Sequence, residues 1–198
     1  MDFRTTFETP APEQDAPAAG GAKSLLREII ETILLTVVIF YAVNFTTGRF
    51  RIEGDSMEPT MNDGEYVIIS KLSYKLGDPE RGDVIVFRFP RSPDRDFIKR
   101  IIGLPGDKVE VRDGNVFVNG TQLHEEYIAA DPNYNSAWEV GPDQLFVLGD
   151  NRNNSSDSHV WGLLPAENVI GKAWVTYWPP SDWGVVPHID LAVASSSP

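Results

Sequence analysis

Lys108-Val109-Glu110-Val111-Arg112-Asp113-Gly114-Asn115-Val116-Phe117-Val118 decides the fold class. Valines 109 and 111 alternate with charged residues, the period of a half-buried strand. A second apolar run follows Asp113-Gly114, and Asp-Gly between two such runs specifies a type I′ hairpin turn. The same punctuation recurs on both sides. Upstream, Phe50-Arg51-Ile52 precedes Gly54, and Tyr66-Val67-Ile68-Ile69 follows Asp63-Gly64. Residues 83–89 follow Arg81-Gly82, and the run 97–102 stops at Gly103. Downstream, strand patterns resume at 144–148 and 169–178, while 124–143 is polar and irregular. With 16 Gly and 15 Pro, the chain reads as mainly β, an antiparallel sheet core with a small hairpin cap. The expected division is a core in two pieces, 47–107 and 144–182, with the cap at 108–143 between them. Residues 183–198 form a C-terminal tail without a persuasive pattern.

The N-terminus is different in kind. Residues 1–22 are rich in Ala, Pro and Glu and carry no apolar period, the composition of a disordered tail. Residues 23–46 read as one helix whose inner part, 33–43, is apolar except for Thr36. The 21 residues from 25 to 45 span about 31 Å as a helix, the thickness of a bilayer core. Three readings compete: a cleaved signal peptide, a buried helix of a soluble protein, and a membrane anchor. Ala42-Val43-Asn44 supplies only one of the two small residues that a cleavage site needs. The anchor is therefore the expectation, with Lys23 and Arg27 snorkelling at one end and Tyr41 at the other interface.

Charge and cysteine content exclude several functions. A net charge of −12 without a Lys/Arg stripe excludes a nucleic-acid binder. The chain has no cysteine, which removes thiol catalysis, disulfides and thiolate metal sites. No metal and no cofactor are expected.

Candidate chemistry resides at three places. Ser56 is bracketed by Gly54 and Pro59, a context for a sharp turn that presents its hydroxyl. Lys99 lies in Phe97-Ile98-Lys99-Arg100-Ile101-Ile102, where adjacent residues point to opposite faces. One of the two cations is therefore expected inside. A neutral Lys99 requires a shift of roughly 3 units from ~10.4, with desolvation as its cause. It then takes the Ser56 proton and returns it to the leaving amine. The third place is the polar stretch 149–159. An EF-hand reading fails because Arg152 falls on a ligand position and no closing Glu follows. Asp157 and His159 form a structural salt link in preference to a Ser-His-Asp triad.

These segments together resemble the type I signal peptidases. The matching boxes are Ser56-Met57-x-Pro59-Thr60, Arg81-Gly82-Asp83-x-x-Val86-Phe87, Lys99-Arg100-x-x-Gly103-x-Pro105-Gly106-Asp107 and Gly149-Asp150-Asn151-Arg152-x-x-Ser155-x-Asp157-Ser158. The resemblance implies that Ser56 is the nucleophile and Lys99 the general base. It implies that Ser155 orients the lysine amine and that Asp157 braces the loop. Phe50, Ile52, Met57, Met61, Val86, Phe97 and Ile98 are implied to line shallow substrate pockets. The implied partners are the signal peptides of exported preproteins, cut after a small-x-small motif, and the lipid bilayer. The implied location is the outer or lumenal side of a plasma or thylakoid membrane. Two residues depart from the family pattern. Gly54 stands where some members carry a serine that helps to hold the oxyanion, and His159 stands where many carry arginine. Self-cleaving Ser-Lys repressors and a non-enzymatic anchored β module are the alternatives.

Overall fold

The computed structural model describes residues 21–191, and the chain divides into two units after Ala42. The first unit is nearly all of helix α1, Gly21–Thr46. Residues 24–45 are all exposed, and the stretch Ser24–Thr46 is long and apolar enough to cross a membrane. Thr32 and Thr36 donate their hydroxyls to the carbonyls of Glu28 and Thr32, each at 2.8 Å. Bonding their own helix spares both hydroxyls the cost of facing hydrocarbon unpaired. Arg27 and Glu31 pair at 2.7 Å one turn apart in the charged first half. The helix begins slightly before the expected residue 23. Of the expected tail, 1–22, only Gly21 and Ala22 are described, as helix.

The second unit is built from two sheets. Its strands in order are β1 (Thr47–Arg51), β2 (Tyr66–Ser70), β3 (Val84–Arg88), β4 (Asp96–Gly103), β5 (Lys108–Arg112) and β6 (Asn115–Val118). They continue with β7 (Thr121–Gln122), β8 (Ser136–Glu139), β9 (Gln144–Leu148), β10 (Leu164–Pro165), β11 (Val169–Trp178) and β12 (Gly184–Val185). Two single-turn helices, α2 (Ser73–Leu76) and α3 (Ser158–Trp161), interrupt them. The large sheet runs β1-β2-β11-β3-β4-β9-β10, with β12 added to β11, and every pairing is antiparallel. β11 is an interior strand that pairs with β2, β3 and β12, and it runs ten residues with two irregularities of register against β2.

The second sheet, β7-β6-β5-β8, is larger than the single hairpin expected for the cap. Asp113 and Gly114 both have positive φ, 50° and 77°, as a type I′ turn demands. Asn119 and Gly120, at 52° and 82°, repeat the device and add β7. β8 emerges from the stretch that looked irregular, because Trp138 packs on Phe146 with ring centroids 4.7 Å apart. Val109, Val111, Val116 and Val118 are all buried in one cluster with Ile102, Phe146 and Leu148 of the large sheet. That shared cluster welds the small sheet to the end of β4 and to β9.

Close approach of β11 to β2 generates the first prediction. A Cβ on Gly171 would lie 2.4 Å from the Ser70 carbonyl oxygen. Gly171→Ala is expected to cost about 1–3 kcal/mol, as forced overpacking does. Denaturant unfolding of the full chain in detergent measures it.

Candidate active site

Ser56 is held by a turn whose base is closed by backbone bonds. Ile52 N–H donates to Glu65 O at 2.8 Å, and Gly64 N–H to Ile52 O at 3.0 Å. Gly54 takes φ +87°, and its N–H donates to Asp63 Oδ1 at 2.8 Å. Met57 and Met61 then plunge into the core with Ile52, Val67 and Val86. Anchored on one side and turned sharply on the other, Ser56 stays half-buried at a cleft. Among the described residues its own N–H carries no hydrogen bond.

Lys99 reaches the same point from β4. Its Nζ lies 2.5 Å from Ser56 Oγ and 2.6 Å from the Ile98 carbonyl oxygen, with the Phe97 ring centroid at 5.6 Å. The residue is only 4% exposed. Burial pushes the amine from its ordinary 10.5 down to about 8, against the opposing pull of Asp157 and Asp150. Both cations of the Lys99-Arg100 pair are inside, where one was expected. Arg100 is fully buried because a carboxylate meets it there: Nε donates to Asp150 Oδ1 at 2.9 Å and Nη2 to Asp150 Oδ2 at 2.7 Å.

The stretch 149–158 wraps this pair. Asn151 N–H donates to Ser56 O at 3.1 Å, and the Asn151 side chain donates to Asp55 O at 3.1 Å. Gly149 is required by close approach, since a Cβ there would sit 2.3 Å from both Ser56 O and Ser155 Oγ. Asp157 is fully buried and accepts from Gly149 N–H at 2.9 Å, from His159 N–H at 3.1 Å and from His159 Nδ1 at 2.6 Å. The salt link expected for Asp157 and His159 is present, and Ser56 Oγ pairs with Lys99 instead. Ser155 differs from its implied role. Its buried Oγ has no hydrogen-bond partner among the described residues, and the Ile98 carbonyl accepts from the lysine amine in its place.

The cleft beside Ser56 and Lys99 has a volume of about 620 Å³. Phe50, Ile52, Val86, Phe97 and Ile98 line it as implied. Met57 and Met61 do not; they form the core behind Ile52. Charged residues that the motifs gave no reason to single out, Glu53, Asp94, Arg95 and Asp96 among them, complete the rim. They sit on loop and hairpin ends that no local pattern assigns to a site. Elsewhere, Glu80, Asp83 and His188 bring ligand-type atoms within 4.8 Å of one another. Lys172 Nζ already stands 2.5 Å from Asp83 Oδ1 and supplies the positive charge there.

Comparison with known proteins agrees with this geometry. Residues 26–178 match the family model "Signal peptidase, peptidase S26". A probable signal peptidase I-2 of Synechocystis sp. is 47% identical over 83% of this chain and 76% of its own length. The signal peptidase I of Leptolyngbya laminosa is 44% identical, covering 88% of this chain and 90% of its own. Signal peptidase IB of Staphylococcus aureus is 35% identical over 81% and 93%. The chain belongs to the signal peptidase family. Within this member, the serine and lysine that the motifs singled out stand at hydrogen-bond distance across 43 residues of sequence.

A depressed lysine is also a stability statement. The folded amine titrates near 8 and the unfolded one near 10.5, so folding expels its proton between pH 8 and 10.5 and desolvates a charged amine below about 8. The penalty is about 3 kcal/mol there and fades as pH rises from 8 to 10.5. Lys99→Met is therefore expected to be inactive yet more stable at pH 7 by about 2–3 kcal/mol. Unfolding curves at pH 7 and pH 10.5 should show this advantage shrinking at the higher pH. Gly149→Ala is expected to lose at least about tenfold in activity, because it pushes the loop off Ser56.

Proposed function

We propose that this protein is a membrane-anchored serine endopeptidase that removes signal peptides from exported preproteins, with Ser56 as nucleophile and Lys99 as general base. The observation that carries this is the 2.5 Å contact between Ser56 Oγ and a buried Lys99 amine in a cleft that joins apolar walls to a charged rim. Neutral Lys99 accepts the hydroxyl proton as Ser56 Oγ attacks the scissile carbonyl carbon. The free Ser56 N–H faces the developing oxyanion; Gly54 contributes no hydroxyl to it. Protonated Lys99 then delivers its proton to the leaving amine, and water repeats the steps on the acyl-enzyme.

Specificity follows from the cleft walls. Phe50, Ile52, Val86, Phe97 and Ile98 give the cleft apolar walls, which accord with the cleavage after a small-x-small motif that the resemblance to the family implies. The helix Ser24–Thr46 supplies a single-pass anchor. The catalytic unit works on the outer or lumenal side of a plasma or thylakoid membrane, where translocated signal peptides emerge. Asp157 supports the lysine by its charge. An anchored module without activity has no use for a lysine held at the energetic cost described above.

Two measurements test the assignment. Ser56→Ala and Lys99→Ala are each expected to lower preprotein cleavage by at least about 10³-fold in detergent or lipid. Retained cleavage in either variant overturns the dyad. The kcat/KM profile is expected to rise about tenfold per pH unit up to about 8 and then level. An acid limb near 10 contradicts the buried-lysine argument.

A further inference from the structure

Residues 186–191 hold no catalytic group, yet they cross the molecule beside the catalytic strand. Val186 is buried in the cluster with Ile52, Met57 and Met61, directly behind Ser56. Leu191 is buried in the other cluster, with Ile102, Val109, Phe146 and Leu148. Between these two plugs the segment makes polar contacts with Arg100 and Asp83 and lies closely against Gly82. Pro187 O accepts from Arg100 Nη1 at 3.1 Å, sharing that nitrogen with Gly82 O at 2.8 Å. His188 Nδ1 bonds Asp83 Oδ1 at 2.8 Å. Ile189 O rests on Gly82, where a Cβ would come within 1.7 Å of it.

Asp83 is a firm anchor. Burial works against its charge, but bonds from Lys172, Tyr74 and the Glu80 N–H outweigh burial and hold the carboxyl below its usual range. Arg100 is the more telling contact. Its guanidinium is fully buried, and the strap supplies one of its acceptors. Without Pro187 O, Nη1 keeps Gly82 O but one of its N–H groups is left unpaired in a buried cation, a site that draws water in. That water would arrive beside Asp150, whose charge acts on the Lys99 amine and whose loop holds Ser56 O.

We propose that residues 186–191 are a positioning strap for the catalytic pair: by closing over Gly82, Asp83 and Arg100, with Pro187 and His188 as its polar grips, the strap keeps water away from Lys99 and fixes its amine against Ser56. The proposal rests on the assignment of Ser56 and Lys99 made above. A tail that merely adds apolar packing would have no reason to place its carbonyl on the buried guanidinium next to the base.

The test compares the full chain with a chain ending at Val185, both in detergent. Cleavage of a preprotein is followed against pH, and cooperative thermal unfolding checks the fold. The ionisation of Lys99 is read separately by pH-dependent competitive labelling of its amine, without substrate. The shortened chain is expected to lose about hundredfold in kcat with KM little changed. Its acid limb and labelling midpoint should both move up from about 8 toward 10.5. An unmoved midpoint in a folded shortened chain overturns the proposal, whatever the loss in kcat. If the shortened chain does not fold, His188→Ala decides: about threefold to tenfold lower kcat with the midpoint moved the same way supports the strap. An unmoved midpoint there overturns it. Should the intact protein fail to cleave preproteins, the function falls, while the labelling arm still decides the strap.

Discussion

The buried ion pair between Arg100 and Asp150 is the contact on which the rest of the site depends. Both side chains have no exposure, and both Arg100 nitrogens that face the carboxylate bond it. A buried pair of this kind adds little net stability, because desolvation consumes most of the Coulombic gain. What it adds is registration. The residue before Arg100 is Lys99, which meets Ser56 Oγ, and the residue after Asp150 is Asn151, which meets Ser56 O. One bidentate contact thus sets two independent grips on the same serine. Removing either partner leaves an unpaired charge close to a lysine whose low pKa depends on burial.

How much of this was legible in the sequence depended on whether the cause was local. The Asp113-Gly114 hairpin was readable because its turn chemistry and strand period are local, and both positive φ values are observed. Ser56 and Lys99 were readable because box motifs carry them, although neither spacing nor pattern gives their 2.5 Å contact. Met57 and Met61 were placed in the cleft by resemblance, but the core behind it takes them, since an apolar side chain next to a nucleophile can face either way. β8 was hidden in a polar stretch, because its stabilising contact is Trp138 on Phe146, remote in neither space nor purpose but invisible to periodicity. The packing of residues 186–191 was hidden for the same reason. Its partners, Gly82, Asp83 and Arg100, lie about a hundred residues earlier.

The two departures from the family pattern also look different in three dimensions. Gly54 removes a hydroxyl, but it buys the φ of +87° that swings the chain into the Ser56 turn. His159 replaces a permanent cation beside Asp157, which suggests a grip that weakens once the imidazole is neutral. Asp157, however, accepts from three donors, and two are backbone N–H groups that do not titrate. The third, Nδ1, still donates when the ring is neutral if the proton stays on that nitrogen. Tyr134 stacks on the imidazole with centroids 4.2 Å apart and fixes the ring plane. The brace is therefore built on geometry first and on charge second.

That balance explains why the lysine rests near 8 rather than far lower. Desolvation unopposed would drive the amine further down and leave it a weaker base, less able to take a proton from a hydroxyl. Asp150 and Asp157 oppose the shift, and each is itself engaged: one by Arg100, the other by backbone donors and His159. Their residual pull is enough to return part of what burial removes. The proposed role of Lys99, to take a hydroxyl proton near neutral pH, needs this compromise, and the same carboxylates that set it also hold the loop on Ser56. Geometry and acidity are thus tuned by one set of contacts, so a change to either carboxylate alters both at once.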